Sequence, residues 1–142
     1  STVTGKVADG IPVAVSEETA YPFDESIRFK ISFPDKKRKN AFFPFHLRIP
    51  GWCTSPVVRL NGEVVDVDAH TGEITHISRE WQEGDVLTLE LPMQVSVDTW
   101  YDGAAVVERG PLVYALKMNE NWEKKTFEPS ASERYGQWYY FL

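Results

Sequence analysis

Glu108 to Met118 reads E R G P L V Y A L K M and joins a turn signal to the strongest apolar run of the chain. Gly110 can take a positive φ, and Pro111 has no N–H to give to a ladder, so a strand is expected to begin directly after Pro111. From there Leu112, Tyr114, Leu116 and Met118 fall on one face, and Val113 and Ala115 on the other. A strand that is apolar on both faces belongs in the middle of a sheet between two layers, and the rest of the chain reads as strands packed beside it.

Working outward, Ile27, Phe29, Ile31 and Phe33 alternate with Arg28, Lys30 and Ser32, a period of two that puts one face in the core and one in water. Phe43, Phe45, Leu47 and Ile49 repeat the pattern, and Pro44 within it argues for an edge strand or a bulge. Asn61 and Gly62, between Val57–Leu60 and Val64–Val67, are the strongest short hairpin signal available, because a type I′ turn needs positive φ at both centres. Two strands are expected within Val3–Val15, one over Ile74–Ile77, and one over Val86–Leu91 with Leu87, Leu89 and Leu91 buried. Val95 and Val97 mark another, and Ala104–Val107 leads into the opening stretch. No segment has the pattern of a helix of ordinary length. The expectation is an all-β protein: one antiparallel β-sandwich domain over residues 1–142, jelly-roll-like, with about ten short strands.

The 142 residues include 15 Lys plus Arg against 21 Asp plus Glu, a net charge of −6, which disfavours a nucleic-acid partner. The one basic run, Lys36 to Lys39, reads as a solvated loop after Pro34 and Asp35. No apolar run approaches the roughly 20 residues that cross a bilayer as a helix, so no membrane partner is expected. A single cysteine, Cys53, excludes an internal disulfide framework. Ser1 carries neither an initiator Met nor an apolar leader, which fits a piece of a longer chain.

Several stretches carry a family resemblance. R G P L V Y A L at Arg109–Leu116 resembles a signature of glycoside hydrolase family 127, the β-L-arabinofuranosidase-like proteins, in the β-sandwich region that follows their helical catalytic barrel. In the same order stand T A Y P F D at Thr19–Asp24, F H L R I P G W at Phe45–Trp52, N G at Asn61–Gly62, R E W Q E G D at Arg79–Asp85 and L P M at Leu91–Met93. The resemblance implies a non-catalytic accessory domain, excised from a larger glycoside hydrolase whose helical barrel lies upstream and is its partner. In the family a cysteine nucleophile, a glutamate and a zinc held largely by cysteines all belong to that barrel. None of those motifs occurs here, so the resemblance assigns no catalytic residue, no metal ligand and no cofactor to this chain.

The residues by themselves agree. Glycoside hydrolysis uses two carboxylates, and the nearest pairs are Asp66 with Asp68, expected on one strand face, and Glu17 with Glu18, expected on opposite faces. All four read better as solvated charges. D V D A H T G E at Asp66–Glu73 misplaces the glycine of a calcium loop and lacks its final glutamate, and His46, His70 and His76 have no metal-ligand spacing. Cys53 reads as a buried small hydrophobe, and Trp52 and Trp81 as core. Trp100, Tyr101 and Trp122 are expected at the surface as candidate substrate-binding residues, able to stack on an oligosaccharide, although packing against a neighbouring domain outweighs that role. Three functions follow: an accessory domain of a putative glycoside hydrolase, a carbohydrate-binding module using those aromatics, or a structural sandwich that self-associates through the aromatic tail Trp138–Leu142.

Overall fold

The computed structural model describes residues 1–35 and 37–119. Eleven strands follow one another: β1 (Thr2–Lys6), β2 (Pro12–Thr19), β3 (Ser26–Ser32), β4 (Asn40–Arg48), β5 (Val57–Leu60), β6 (Glu63–Val64), β7 (Ile74–Gln82), β8 (Val86–Glu90), β9 (Val95–Thr99), β10 (Ala105–Arg109) and β11 (Leu112–Tyr114). Among the described residues the helical content is two single turns, Ala8–Gly10 and Tyr101–Gly103. No helix there is long and apolar enough to cross a membrane. Every pairing is antiparallel.

A six-stranded sheet in the order β1-β2-β3-β8-β5-β6 forms one layer, and the pair β4-β7 lies across it as the other, giving the antiparallel β-sandwich. Alternation decides what lies between them. From β3 and β8 come Ile31, Leu87 and Leu89, from β5 Val58, and from the opposite layer Phe43, Leu47, Ile77 and Trp81, all within one buried cluster. Phe29 and Phe45 meet across the layers with ring centroids 5.3 Å apart. Trp81 is fully buried, donates its indole N–H to the Phe43 carbonyl at 2.9 Å, and stacks on Phe43 at 5.7 Å. Burying an indole requires such an acceptor, because an unpaired N–H in an apolar interior costs about 1–3 kcal/mol.

Pro44 sits in β4, which has β7 as its one ladder neighbour among the described residues, the edge position its missing N–H calls for. Asn61 and Gly62 take positive φ values of 52° and 92°, as the type I′ reading requires. The asparagine has a second task that the dipeptide does not announce. Its side chain donates to Asp85 Oδ1 at 2.9 Å and accepts from the Val86 backbone N–H at 2.9 Å, while Asp85 Oδ2 accepts from the Gln82 N–H at 2.9 Å. The β5–β6 turn is thereby tied to the β7–β8 turn, and buried Asp85 is satisfied.

Three expectations need correction. The strand expected after Pro111 is neither long nor central: Glu108 and Arg109 end β10, Gly110 turns with φ 58°, and β11 begins after Pro111 as expected but has only three residues. That hairpin belongs to a separate three-stranded sheet, β11-β10-β9, with β11 at its edge, and Val113 (68%), Leu116 (87%) and Met118 (75%) are exposed. Apolarity on both faces identified surface to be covered and could not say by what. Secondly, β7 runs on to Gln82 because it must match all nine residues of β4. Thirdly, β6 stops at Val64, so Asp66 and Asp68 lie on an unpaired segment rather than a strand face.

Trp81→Ala is expected to lower the free energy of unfolding by about 3–5 kcal/mol in urea denaturation, through lost burial and the cavity left behind. Asn61→Gly keeps the turn but removes two hydrogen bonds, and the same measurement is expected to give about 1–3 kcal/mol.

Candidate functional site

Two of the quoted stretches and the residue directly after a third, remote in sequence, meet at the corner where the β9–β11 sheet joins the sandwich. Arg109, the last residue of β10, donates from Nη2 to Glu25 Oε1 at 2.7 Å, and its Nη1 lies 3.7 Å from Met93 Sδ. Glu25 Oε1 also accepts the Met93 backbone N–H at 3.1 Å, and the Glu25 carbonyl accepts the Leu91 N–H at 2.8 Å. One carboxylate therefore holds the chain leaving β8 and the end of β10 together. Arg109 and Glu25 are partly exposed, at 28% and 38% of their side-chain surface, so the pair works through charge-assisted hydrogen bonds more than through burial. Gly110 completes the joint. A Cβ there would stand 2.7 Å from Met93 Sδ and 2.8 Å from its Cγ, so a larger residue would displace the Met93 side chain, and the φ of +58° is one that glycine takes without strain.

Beside this joint is a cleft of about 210 Å³, bordered by Trp52, Thr54, Ser55, Gln94, Ser96 and Glu108. Cys53 lies under it, fully buried, with its carbonyl accepting from Thr71 Oγ1 at 2.8 Å. Burial pushes its thiol pKa up, the charge of Glu25 adds to the rise, and a hydrogen bond from the Ser55 backbone works against both. A neutral, enclosed thiol is no nucleophile. A chain with one cysteine cannot supply a cysteine-rich zinc site, and no cluster of three or more His, Cys, Asp or Glu able to hold a metal exists among the described residues.

The expected aromatics stand elsewhere. Trp100 and Tyr101 lie at the far tip of the β9–β10 hairpin, with Trp100 five residues beyond Val95, the partner of Arg109, or about 17 Å along the strand. There the Trp100 N–H donates to the Ala104 carbonyl at 2.7 Å, and Asp102 takes φ 58°. Both rings are exposed, at 72% and 87%, and neither borders the cleft beside Trp52. Trp122 and the tail Trp138–Leu142 lie outside the described residues. Trp81 is fully buried, as expected, whereas Trp52 is only half-buried, packed against the core at the border of the cleft. Of the carboxylates, Glu18 is exposed on β2 and Asp66 is exposed, while Asp68 pairs at the surface with His70 at 2.8 Å.

The Arg109–Glu25–Met93 joint was not foreseen. Arg109 and Met93 stand inside quoted stretches and Glu25 directly follows another, so each position carried a signal. Their meeting across 84 residues carried none.

Comparison with known proteins places the chain. The family model described as "Beta-L-arabinofuranosidase, GH127 middle domain" matches residues 1–93. No curated protein matches. Among solved structures, one titled "Glycoside hydrolase" shares 30% identity at a TM-score of 0.67, over 79% of this chain and 19% of that one. A GH127 β-L-arabinofuranosidase from Geobacillus stearothermophilus T6 shares 33% at 0.67, over 79% and 18%. The GH127 β-arabinofuranosidase BT3674 shares 29% at 0.64, over 79% and 20%. The chain thus spans no more than 20% of the length of these structures.

Arg109→Met is expected to loosen the β9–β11 sheet locally. Amides of β9 and β10 should exchange with solvent roughly ten- to a hundredfold faster, while those of β3 and β8 stay unchanged, since a hydrogen bond to a charged group contributes about 1.5–3 kcal/mol. Cys53 is expected to react with a disulfide reagent at pH 8 only after urea unfolding; immediate reaction in the native protein would contradict its burial.

Proposed function

This chain belongs to glycoside hydrolase family 127, matching its middle domain over residues 1–93, and from that premise we propose that it is a non-catalytic accessory sandwich buttressing the catalytic domain of a larger enzyme. The observation that carries the reading is the apolar surface of the β9–β11 sheet. Val95 (64%) and Val97 (65%) of β9 and Tyr114 (50%) of β11 are exposed on one face of the sheet, where the register sets them beside Val107 and Leu112, and the sandwich core is already closed elsewhere. A contiguous apolar patch on a joined sheet suits a covering domain, and the small fraction of each similar structure that this chain spans leaves ample room for one.

In this reading the Arg109–Glu25 joint sets the angle at which the β9–β11 face is presented, and Trp100 and Tyr101 extend that face at the hairpin tip. Bond cleavage, and any zinc that serves it, then belongs to the helical-barrel domain of the parent, acting on β-L-arabinofuranosyl glycans as the names of the similar structures suggest. A second reading rests on the exposure of the two aromatics: the chain grips an oligosaccharide through Trp100 and Tyr101.

Two experiments separate these. The purified chain is expected to release no product from an aryl β-L-arabinofuranoside, and turnover that disappears when a residue of this chain is replaced would overturn the accessory reading. Calorimetric titration with arabino-oligosaccharides at millimolar concentration is expected to be flat, whereas saturable binding weakened by Trp100→Ala would establish the second reading in its place.

A further inference from the structure

The outer face of the β4–β7 pair holds an arrangement that the packing of the sandwich does not require. Residues 46 and 76 are 30 positions apart, not a metal-ligand spacing, yet the ladder sets His46 directly opposite His76. Both are exposed, with ring centroids 5.7 Å apart and planes inclined at 34°. The third histidine, His70, is different: its Nε2 is 2.8 Å from Asp68 Oδ1, on an unpaired segment. Among the described residues no side-chain hydrogen bond or ion pair engages His46 or His76.

The separation can be compared with what a shared metal demands. With a metal–nitrogen bond of about 2.0–2.1 Å, each imidazole centroid stands about 3.2 Å from the ion, and a tetrahedral angle then places the two centroids about 5.2 Å apart. The observed 5.7 Å lies about half an ångström from that value, within reach of small side-chain rotations. The scaffold beneath is already ordered. β4 and β7 pair over nine consecutive positions, and their inner faces are fixed by Phe43, Leu47, Ile77 and Trp81, so little ordering is left for binding to demand. The surroundings are open and moderately polar: Ser78 and Pro44 flank the pair on one side, Arg48 and Ile74 on the other, and Glu80 lies further along β7. Arg48 weakens cation binding without blocking it.

We propose that His46 and His76 form a two-imidazole chelate for a late first-row divalent cation of the kind imidazole prefers, Zn²⁺, Ni²⁺ or Cu²⁺. Two protein ligands leave the remaining coordination positions to water or to a group brought by another molecule. Nitrogen donors select these ions over Mg²⁺ and Ca²⁺, which take oxygen. The inference stands on the β4–β7 register and does not depend on the accessory-domain reading.

The test is calorimetric titration of the untagged chain with NiCl₂ and with ZnCl₂ up to about 1 mM, together with ¹H–¹⁵N spectra recorded as Ni²⁺ is added. The expected result is saturable uptake of one ion per chain, with paramagnetic broadening centred on residues around positions 46 and 76. His46→Asn and His76→Asn should each weaken uptake at least tenfold, and His70→Asn should leave it unchanged. Both tested side chains are exposed, so neither change opens the core. The proposal is overturned by absence of saturable uptake, by uptake that survives His46→Asn, or by broadening centred on His70 and Asp68.

Discussion

Two strands facing six can close a core only if they fill it deeply, and the Trp81 indole is what allows β4 and β7 to do so. It enters from β7, stacks on Phe43, meets Phe45 at 5.7 Å and lies under the Arg79 guanidinium at 5.5 Å. Its one polar atom is satisfied by the carbonyl of the strand beside it. Large apolar area and a single hydrogen-bond donor thus serve one contact, and the wider layer can present smaller aliphatic residues such as Ile31, Val58 and Leu87 against it. The outward-facing residues of β4 and β7 are freed from packing by the same arrangement, which is how two histidines come to stand side by side in water.

The β9–β11 sheet depends on a different kind of link. Its strands share little with the main core, and their attachment runs through Glu25, Met93, Arg109 and Gly110. A hydrogen-bonded joint backed by a glycine without clearance fixes direction better than a greasy contact would, because the guanidinium and carboxylate meet in a narrow range of geometries. A sheet held at a set angle with its apolar side chains exposed is what the accessory role proposed above for this member of family 127 calls for.

Much of this was legible beforehand. Period-two alternation placed β3, β4 and β8 with their buried faces, Asn61–Gly62 placed a hairpin, and the ordered motifs led to the family. The candidate surface was half legible: Trp100 and Tyr101 are exposed as expected, but they sit at a hairpin tip, apart from the cleft beside Trp52. Glu108–Met118 misled because a run apolar on both faces looks the same whether its cover lies within the sheet or in another part of a larger protein.

Local chemistry accounts for that division. Alternation, proline, and glycine at positive φ act over a few residues, so the all-β class, the turns and most buried faces could be read from the chain by itself. Which strand lies beside which is set by closure over dozens of residues, where many pairings satisfy the same pattern. Only the tertiary structure decided that Glu25 would meet Arg109 across 84 residues and that His46 would face His76, because register is the outcome of all the ladders and the core packing satisfied at once.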